Sequence, residues 1–466
     1  MRKLSVSAAL SLACILAGQS RRSADPAPSE WQLTYSPISH LLDNNDNFSR
    51  DDRFLVVDTR DTVGGGIGNS IALLKVSVTT GLENVIYAPH GAVVGTSGSA
   101  PGLGAVSYSP FTDEVAFIHG PLLSETAKLG FYGATNRRGG VVIADGSGDL
   151  KGFLDYRDIT SAVTTAGAHR GGTHRHEYSL NGERIGFTYD DHLMAQYGRT
   201  IGMLVPHPKA PAGASHWAVL LLPMAPTNGA APGEIERAAD DSWIGAKGLM
   251  RGFIGRVRQP DGAYMNSLFV VDVPAAVDVT TADAGTATRF PRPPQGVTVR
   301  RLTNTESAGI VRGSLDGSRV GYYATAPNGT RQVFIIPANG SDLSTDAALR
   351  PVQATELERG ASGGLRWHPS GNSIAVLSDG GVSVTCVKPG PLFGKSVFLT
   401  THGTGIPAAE ALVWSRNGKL LAFNRRVPTW DAGGRLVKDF GNNDFRQIFL
   451  VFFPDENDNG IADPVE

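Results

Sequence analysis

The chain has 466 residues, 57 of them glycine and 28 proline, and a formal net charge of −2. Such a length can bury a large core, while near-neutrality gives no support to a general nucleic-acid or membrane-surface role. The glycine and proline content suits many short strands and turns better than long helices.

The first residues read as an export signal. Arg2 and Lys3 precede "LSVSAALSLACILAG", an apolar run too short for a convincing membrane span. Residues 1–25 are therefore expected to be a signal peptide, and the protein periplasmic or secreted. Cys14 lies in "SLAC", a weak match to a bacterial lipoprotein signal, so an outer-membrane lipoprotein carrying a lipid anchor is the alternative. No later stretch is long and apolar enough for a transmembrane segment. Cys386 is the one cysteine beyond the signal, so the mature chain forms no internal disulfide and depends on packing.

From Phe48 onward one phrase recurs: "FSRDDRFLVVDT", "YSPFTDEVAFIH" from Tyr108, "YSLNGERIGFTY" from Tyr178, "GSLDGSRVGYYA" from Gly313, "WHPSGNSIAVLS" from Trp367 and "WSRNGKLLAFNR" from Trp414. Each is a polar turn followed by alternating apolar residues, the pattern of a hairpin between strands. Strand candidates "RTIGMLVPH", "RQVFIIPA" and "RQIFLVFF" follow three copies. A degenerate unit, "GLMRGFIGRV" with "NSLFVVDVP", fills the gap between the third and fourth copies, and "PMAPTNGAAPGE" before it reads as an exposed loop. A small sheet cannot bury its faces alone, so units must stack. The expectation is an all-β protein, a β-propeller of four-stranded antiparallel sheets over residues 31–453, read as seven-bladed with six or eight blades left open, and with a pair of β-sandwiches as the alternative architecture. Trp217, Trp243, Trp367 and Trp414 read as packing residues.

Within "AHRGGTHRHEYSLNGERIGFTYDDHLMAQ", His174 and His176 stand one residue apart. Against the other copies, His176 takes the place of Val106, Val311, Leu365 and Leu412, and His174 that of Gly104, Gly309, Gly363 and Glu410. Residues two apart on a strand share a face, so both imidazoles are expected on one side, near the central channel or an inter-blade seam. There they need a hydrogen-bond partner or a metal, and His-x-His on a strand is a usable metal spacing. Asp190, Asp191, His192, His216, His90, Arg170 and Glu410 are polar candidates for completing a site.

The tail 454–466 contains "DENDNGIADPVE". Asp455, Asn457, Asn459, Asp463 and Glu466 have the spacing of a calcium loop, with Gly460 at the turn but no flanking helices. The alternatives are a clasp on the final blade and a solvated acidic tail.

The stretches "RRGG", "DYRDIT", "HRGGTHRHEYSLNGERIGFTYDDHLM" and "GASHWAVLL" resemble the YidR-like bacterial family of unknown function. More distantly, the repeat architecture is similar to oligogalacturonate lyases and Tol-type propellers. The lyase resemblance implies a divalent transition metal, Mn or Zn, on His174, His176 and His216, a base at His90 or His192 and a carboxylate-binding Arg170. It implies an acidic oligosaccharide substrate and β-elimination after proton abstraction. The chain lacks an obvious long basic run, which favours a short oligosaccharide over a long polymer. Two alternatives stand beside the lyase: a non-catalytic propeller binding an envelope protein or peptide, and a metal-dependent hydrolase.

Overall fold

A computed structural model describes residues 30–463, except Asn45 and Thr96. The signal segment, Cys14 and Glu466 lie outside the described residues.

The chain forms a seven-bladed β-propeller, and the sequence phrase marks its hairpins. In all six copies the same backbone bond closes the turn: Ser49 to Phe54, Ser109 to Glu114, Ser179 to Arg184, Ser314 to Arg319, His368 to Ser373 and Ser415 to Leu420. Gly182 has φ 70°, and Gly317, Gly371 and Gly418 lie at 75–77°, a region open to glycine and costly for most side chains.

Blade 2 comprises Leu103–Tyr108, Glu114–His119, Arg138–Ile143 and Leu150–Phe153, in spatial as in chain order. Blade 3 follows with Gly171–Tyr178, Ile185–Asp191, Thr200–Pro206 and His216–Leu220. Blade 4, the degenerate unit, has an inner strand the phrase did not mark, Ile235–Ile244, then Met250–Arg258, Tyr264–Asp272 and Thr298–Arg301. The inner strands of blades 5, 6 and 7 are Ala308–Gly313, Ser362–Trp367 and Ala409–Trp414. Blade 7 takes its outermost strand from the other end of the chain: Trp31 pairs with Leu450 and Gln32 with Phe449.

Blade 1 has three regular strands, Phe54–Asp58, Leu73–Ser77 and Glu83–Tyr87. Among the described residues its innermost strand is represented by two bridges, Leu41 to Asp58 and Phe48 to Leu55. Between them lies the run Asp-Asn-Asn-Asp-Asn, five residues of types depleted in strands. The other six inner strands stay regular but each carries a bulge.

The apolar core is divided among the seams. Seven clusters of buried side chains each join two adjacent blades; Val56 and Leu73 of blade 1 meet Leu103 and Val106 of blade 2, for example. Tryptophans tie three seams through their ring N–H. Trp243 donates to Glu177 O, Trp367 to Arg312 O and Trp414 to Arg366 O, each reaching back to the preceding blade. With Trp217 they are buried, as the packing reading required. No helix among the described residues is long and apolar enough to cross a membrane.

Candidate functional site

The bulge in blade 3 decides where the paired histidines go. Arg175, between them, has φ 63°, and the pairing with the next strand slips between Gly186 and Thr188. A bulge breaks the two-residue alternation of a strand. The shared-face arrangement expected for His174 and His176 is therefore replaced by separate surroundings. His174 is half-buried, with Nδ1 3.0 Å from Thr188 Oγ1. His176 is fully buried in the seam between blades 2 and 3, with Nε2 3.1 Å from Thr173 Oγ1. It occupies the seam position that Val106, Val311, Leu365 and Leu412 fill elsewhere, all of them buried.

His176 enters a polar cluster that the sequence reading did not assemble. Asp155 follows the outer strand of blade 2 and is wholly buried. Its Oδ1 accepts from Gly139 N at 3.0 Å, and its Oδ2 accepts from Thr173 Oγ1 at 2.5 Å. His169 Nε2 lies 3.2 Å from Asp155 Oδ2, and His176 Nε2 lies 4.0 Å from it. Burial pushes the Asp155 carboxyl up, but His169, His176 and the Thr173 bond overcome that, leaving it below the usual carboxylate range. Burial pushes His176 down to about 4, so its imidazole is neutral near pH 7. Burial also depresses His174 strongly, and brings His216 to about 4. Nδ1 of His169 and Nδ1 of His176 are without a hydrogen-bond partner. The nearest sequence signal was the run of polar residues Thr173–Glu177 in a strand that is otherwise apolar in sister blades.

The remaining candidates have other partners. His216 is half-buried at the start of the outer strand of blade 3, with Nδ1 2.7 Å from Ser215 Oγ. His192 is exposed and approaches Thr135 Oγ1 at 3.2 Å, and His90 is exposed in the turn after blade 1. Arg170 is fully buried; its Nε donates to Asp191 at 2.9 Å and its Nη1 to the carbonyls of Thr286 and Arg289. Glu410 accepts from Arg426 at 3.2 Å and from Arg446, which also pair with Asp61. Among the described residues, no group of three or more His, Cys, Asp or Glu side chains is arranged to hold a metal ion.

The C-terminal loop folds onto blade 6. Asn372 Nδ2 donates to Asn459 O at 2.8 Å and Ser373 Oγ to Gly460 O at 2.6 Å. Asp455 accepts from the N–H groups of Asn459 and Gly460, Asn457 from Asn459 N, Asn459 from Ile461 N, and Asp463 from Glu456 N. The loop's oxygens thus organise its own backbone while its carbonyls clasp the blade.

At the axis, the broken inner strand of blade 1 reaches across the channel. Asn44 Nδ2 donates to His176 O in blade 3 at 3.0 Å and to Ala105 O in blade 2 at 3.4 Å. Arg366 Nη2 of blade 6 donates to Asn44 O at 3.4 Å. Tyr108 N of blade 2 bonds Asp46 O at 2.8 Å. Asp43 pairs with Arg60 at 2.8 Å, and Arg60 also binds Asp58. On the hairpin face of this stopper lies a small recess, bordered by Asp46, Glu177, Arg312, Tyr178, Trp243 and Trp367.

Comparison with known proteins bears on this geometry at two levels. The chain is 32% identical over 437 residues to the uncharacterised protein YidR of Escherichia coli (strain K12), covering 87% of this chain and 95% of the relative. The chain belongs to the YidR family. The profile of a family described as a protein of unknown function, DUF3748, matches residues 102–216. In this YidR family member that span runs from the inner strand of blade 2 to the outer strand of blade 3 and encloses Asp155, His169 and His176. Solved structures with a similar fold include RRP9 WD40 repeats, 11% identical over 92% of this chain and 98% of that chain, TM-score 0.48. The periplasmic gluconolactonase PpgL of Pseudomonas aeruginosa is 14% identical over 83% of this chain and 97% of that one, TM-score 0.40. A TolB-type structure from Agrobacterium tumefaciens is 11% identical over 82% and 97% of the two chains, TM-score 0.40.

Proposed function

We propose that the protein is an exported, non-catalytic propeller that binds an envelope protein or peptide at the hairpin-face end of its axis. The observation that carries this reading is the stopper: Asn44 spans the channel and leaves a recess on the hairpin face in place of an open pore. The reading is supported further by the dispersal of the groups a lyase would need. Arg170 is engaged by Asp191 and two carbonyls, Glu410 by two arginines, and His90 and His192 sit on exposed turns. General acid–base chemistry needs its groups within hydrogen-bond reach of one reacting atom.

The test is turnover against binding. Purified mature protein, with and without added Mn²⁺ or Zn²⁺, is incubated with acidic oligosaccharides and assayed for unsaturated products and new reducing ends. The expected outcome is neither product, together with saturable binding of free-acid peptides by calorimetry. Unsaturated products that disappear in His176→Ala would overturn the reading in favour of the lyase; new reducing ends without unsaturation would overturn it in favour of hydrolysis.

A further inference from the structure

Arg312 ends the inner strand of blade 5 and borders the axial recess, yet only 3% of it is exposed. Its Nη1 reaches Glu177 Oε1 at 3.5 Å and Val311 O at 3.5 Å, both at the limit of contact. Its Nε and Nη2 have no hydrogen-bond partner. Those two donors form one edge of the guanidinium, the fork that takes a carboxylate through two parallel bonds. Leaving them unmet in a buried setting is costly. Glu177 does not answer Arg312 alone, because it also accepts from Arg251 Nη1 at 3.2 Å. Arg366 is equally buried, and its Nε is also without a partner. Burial, and then the positive charges of Arg175 and Arg251, work against protonation of Arg312, with Glu177 and Asp46 opposing them, and its pKa falls to about 10. A ligand anion would relieve that crowding.

The surroundings narrow the class of ligand. Tyr178, Trp243 and Trp367 form the aromatic part of the wall, and Leu180 and Leu315 stand on the hairpin turns beside it. Asp46 and Glu177 border the same recess, so a dianion such as phosphate meets two nearby acids, whereas a single carboxylate meets less repulsion.

We infer that the recess is a carboxylate-binding site, in which the Nε–Nη2 edge of Arg312 grips one carboxylate of a ligand whose apolar body rests against Tyr178, Trp243 and Trp367. The inference rests on the binding reading above and names the group recognised. That group is shared by a peptide C-terminus and a small organic acid.

The probes are 3-phenylpropanoate and its neutral amide, and the tripeptide acetyl-Gly-Gly-Phe as free acid and as amide. Binding to mature protein is followed by tryptophan fluorescence and calorimetry. Each acid is expected to bind at least ~10-fold tighter than its amide, the scale of one charge-assisted contact. Arg312→Gln should abolish the preference in protein whose circular dichroism matches the parent. If that variant does not fold, Arg312→Lys, which keeps the charge and loses the fork, should shrink the preference, and the acid–amide comparison on the parent stands by itself. Equal binding of acid and amide, failure of both acids to bind at millimolar concentration, or a preference unchanged in a folded Arg312 variant would each overturn the site. Binding of 3-phenylpropanoate without the tripeptide acid would keep the carboxylate site and remove the peptide reading.

Discussion

At the scale of single residues, Asp46 is a charged group at odds with its position. It is half-buried in the axial stopper, its Oδ2 3.3 Å from Ser107 Oγ. Burial pushes its carboxyl up to about 6, with Glu177 adding to the effect and Arg416 and Arg312 opposing it. A carboxyl whose folded pKa is raised favours the fold while protonated. Below about pH 4 both folded and unfolded chains hold the proton and there is no penalty; the penalty grows between about pH 4 and 6 and is complete above 6. Asp46→Asn should therefore stabilise the protein by roughly 2 kcal/mol at pH 7.5, discounted for partial exposure, with the gain vanishing near pH 4. Chemical denaturation across that pH range measures it; a gain that is the same at pH 4 and pH 7.5 would contradict the assignment. The histidines show how far residue-level reading goes from sequence. His176 was legible as an intruder at an apolar position, because Val106, Val311, Leu365 and Leu412 set the comparison. Its separation from His174 was not, since a left-handed Arg175 leaves no mark of the kind glycine leaves. Asp155 and His169 come from connections between strands, where no repeat register places them.

Among elements, the bulged inner strands explain why these strands look irregular in sequence. Blades 5 and 6 place glycine at the left-handed position, Gly309 with φ 75° and Gly363 with φ 70°. A Cβ on Gly363 would stand 2.7 Å from Leu377 Cδ1 as well as strain the backbone. Gly363→Ala should cost about 2 kcal/mol or more, measured as a lowered denaturation midpoint with unchanged slope. A neutral result would mean that the bulge relaxes away. The hairpins themselves were the readable part, because turn chemistry is local and repeats. The inner edge of blade 1 carries a signal of its own: the Asp and Asn run between Leu42 and Phe48 is a poor strand by composition, and its residues Asp43, Asn44 and Asp46 form the stopper. The Arg312 fork was harder to see, since polarity alternating with Val311 says which face an arginine takes but not that its donors go unmet.

For the whole molecule, stability resides in seven seams and one splice. Trp31 and Gln32 complete blade 7, Trp31 lies 4.9 Å from the Phe452 ring, and Thr34 Oγ1 bonds Gln447 at 2.7 Å. Deleting residues 30–34 should raise amide hydrogen exchange through Phe445–Phe452 while Gly171–Tyr178, on the far side of the ring, keeps its protection. Equal loosening of both strands would show that closure is shared by all blades alike. The same splice joins residues at opposite ends of the sequence, and contacts so distant along the chain are slow to form. The Trp31–Gln32 strand therefore has to wait, unpaired and with its tryptophan uncovered, until Phe445–Phe452 has been made, so the ring can shut only after the strands of all seven blades have been synthesised.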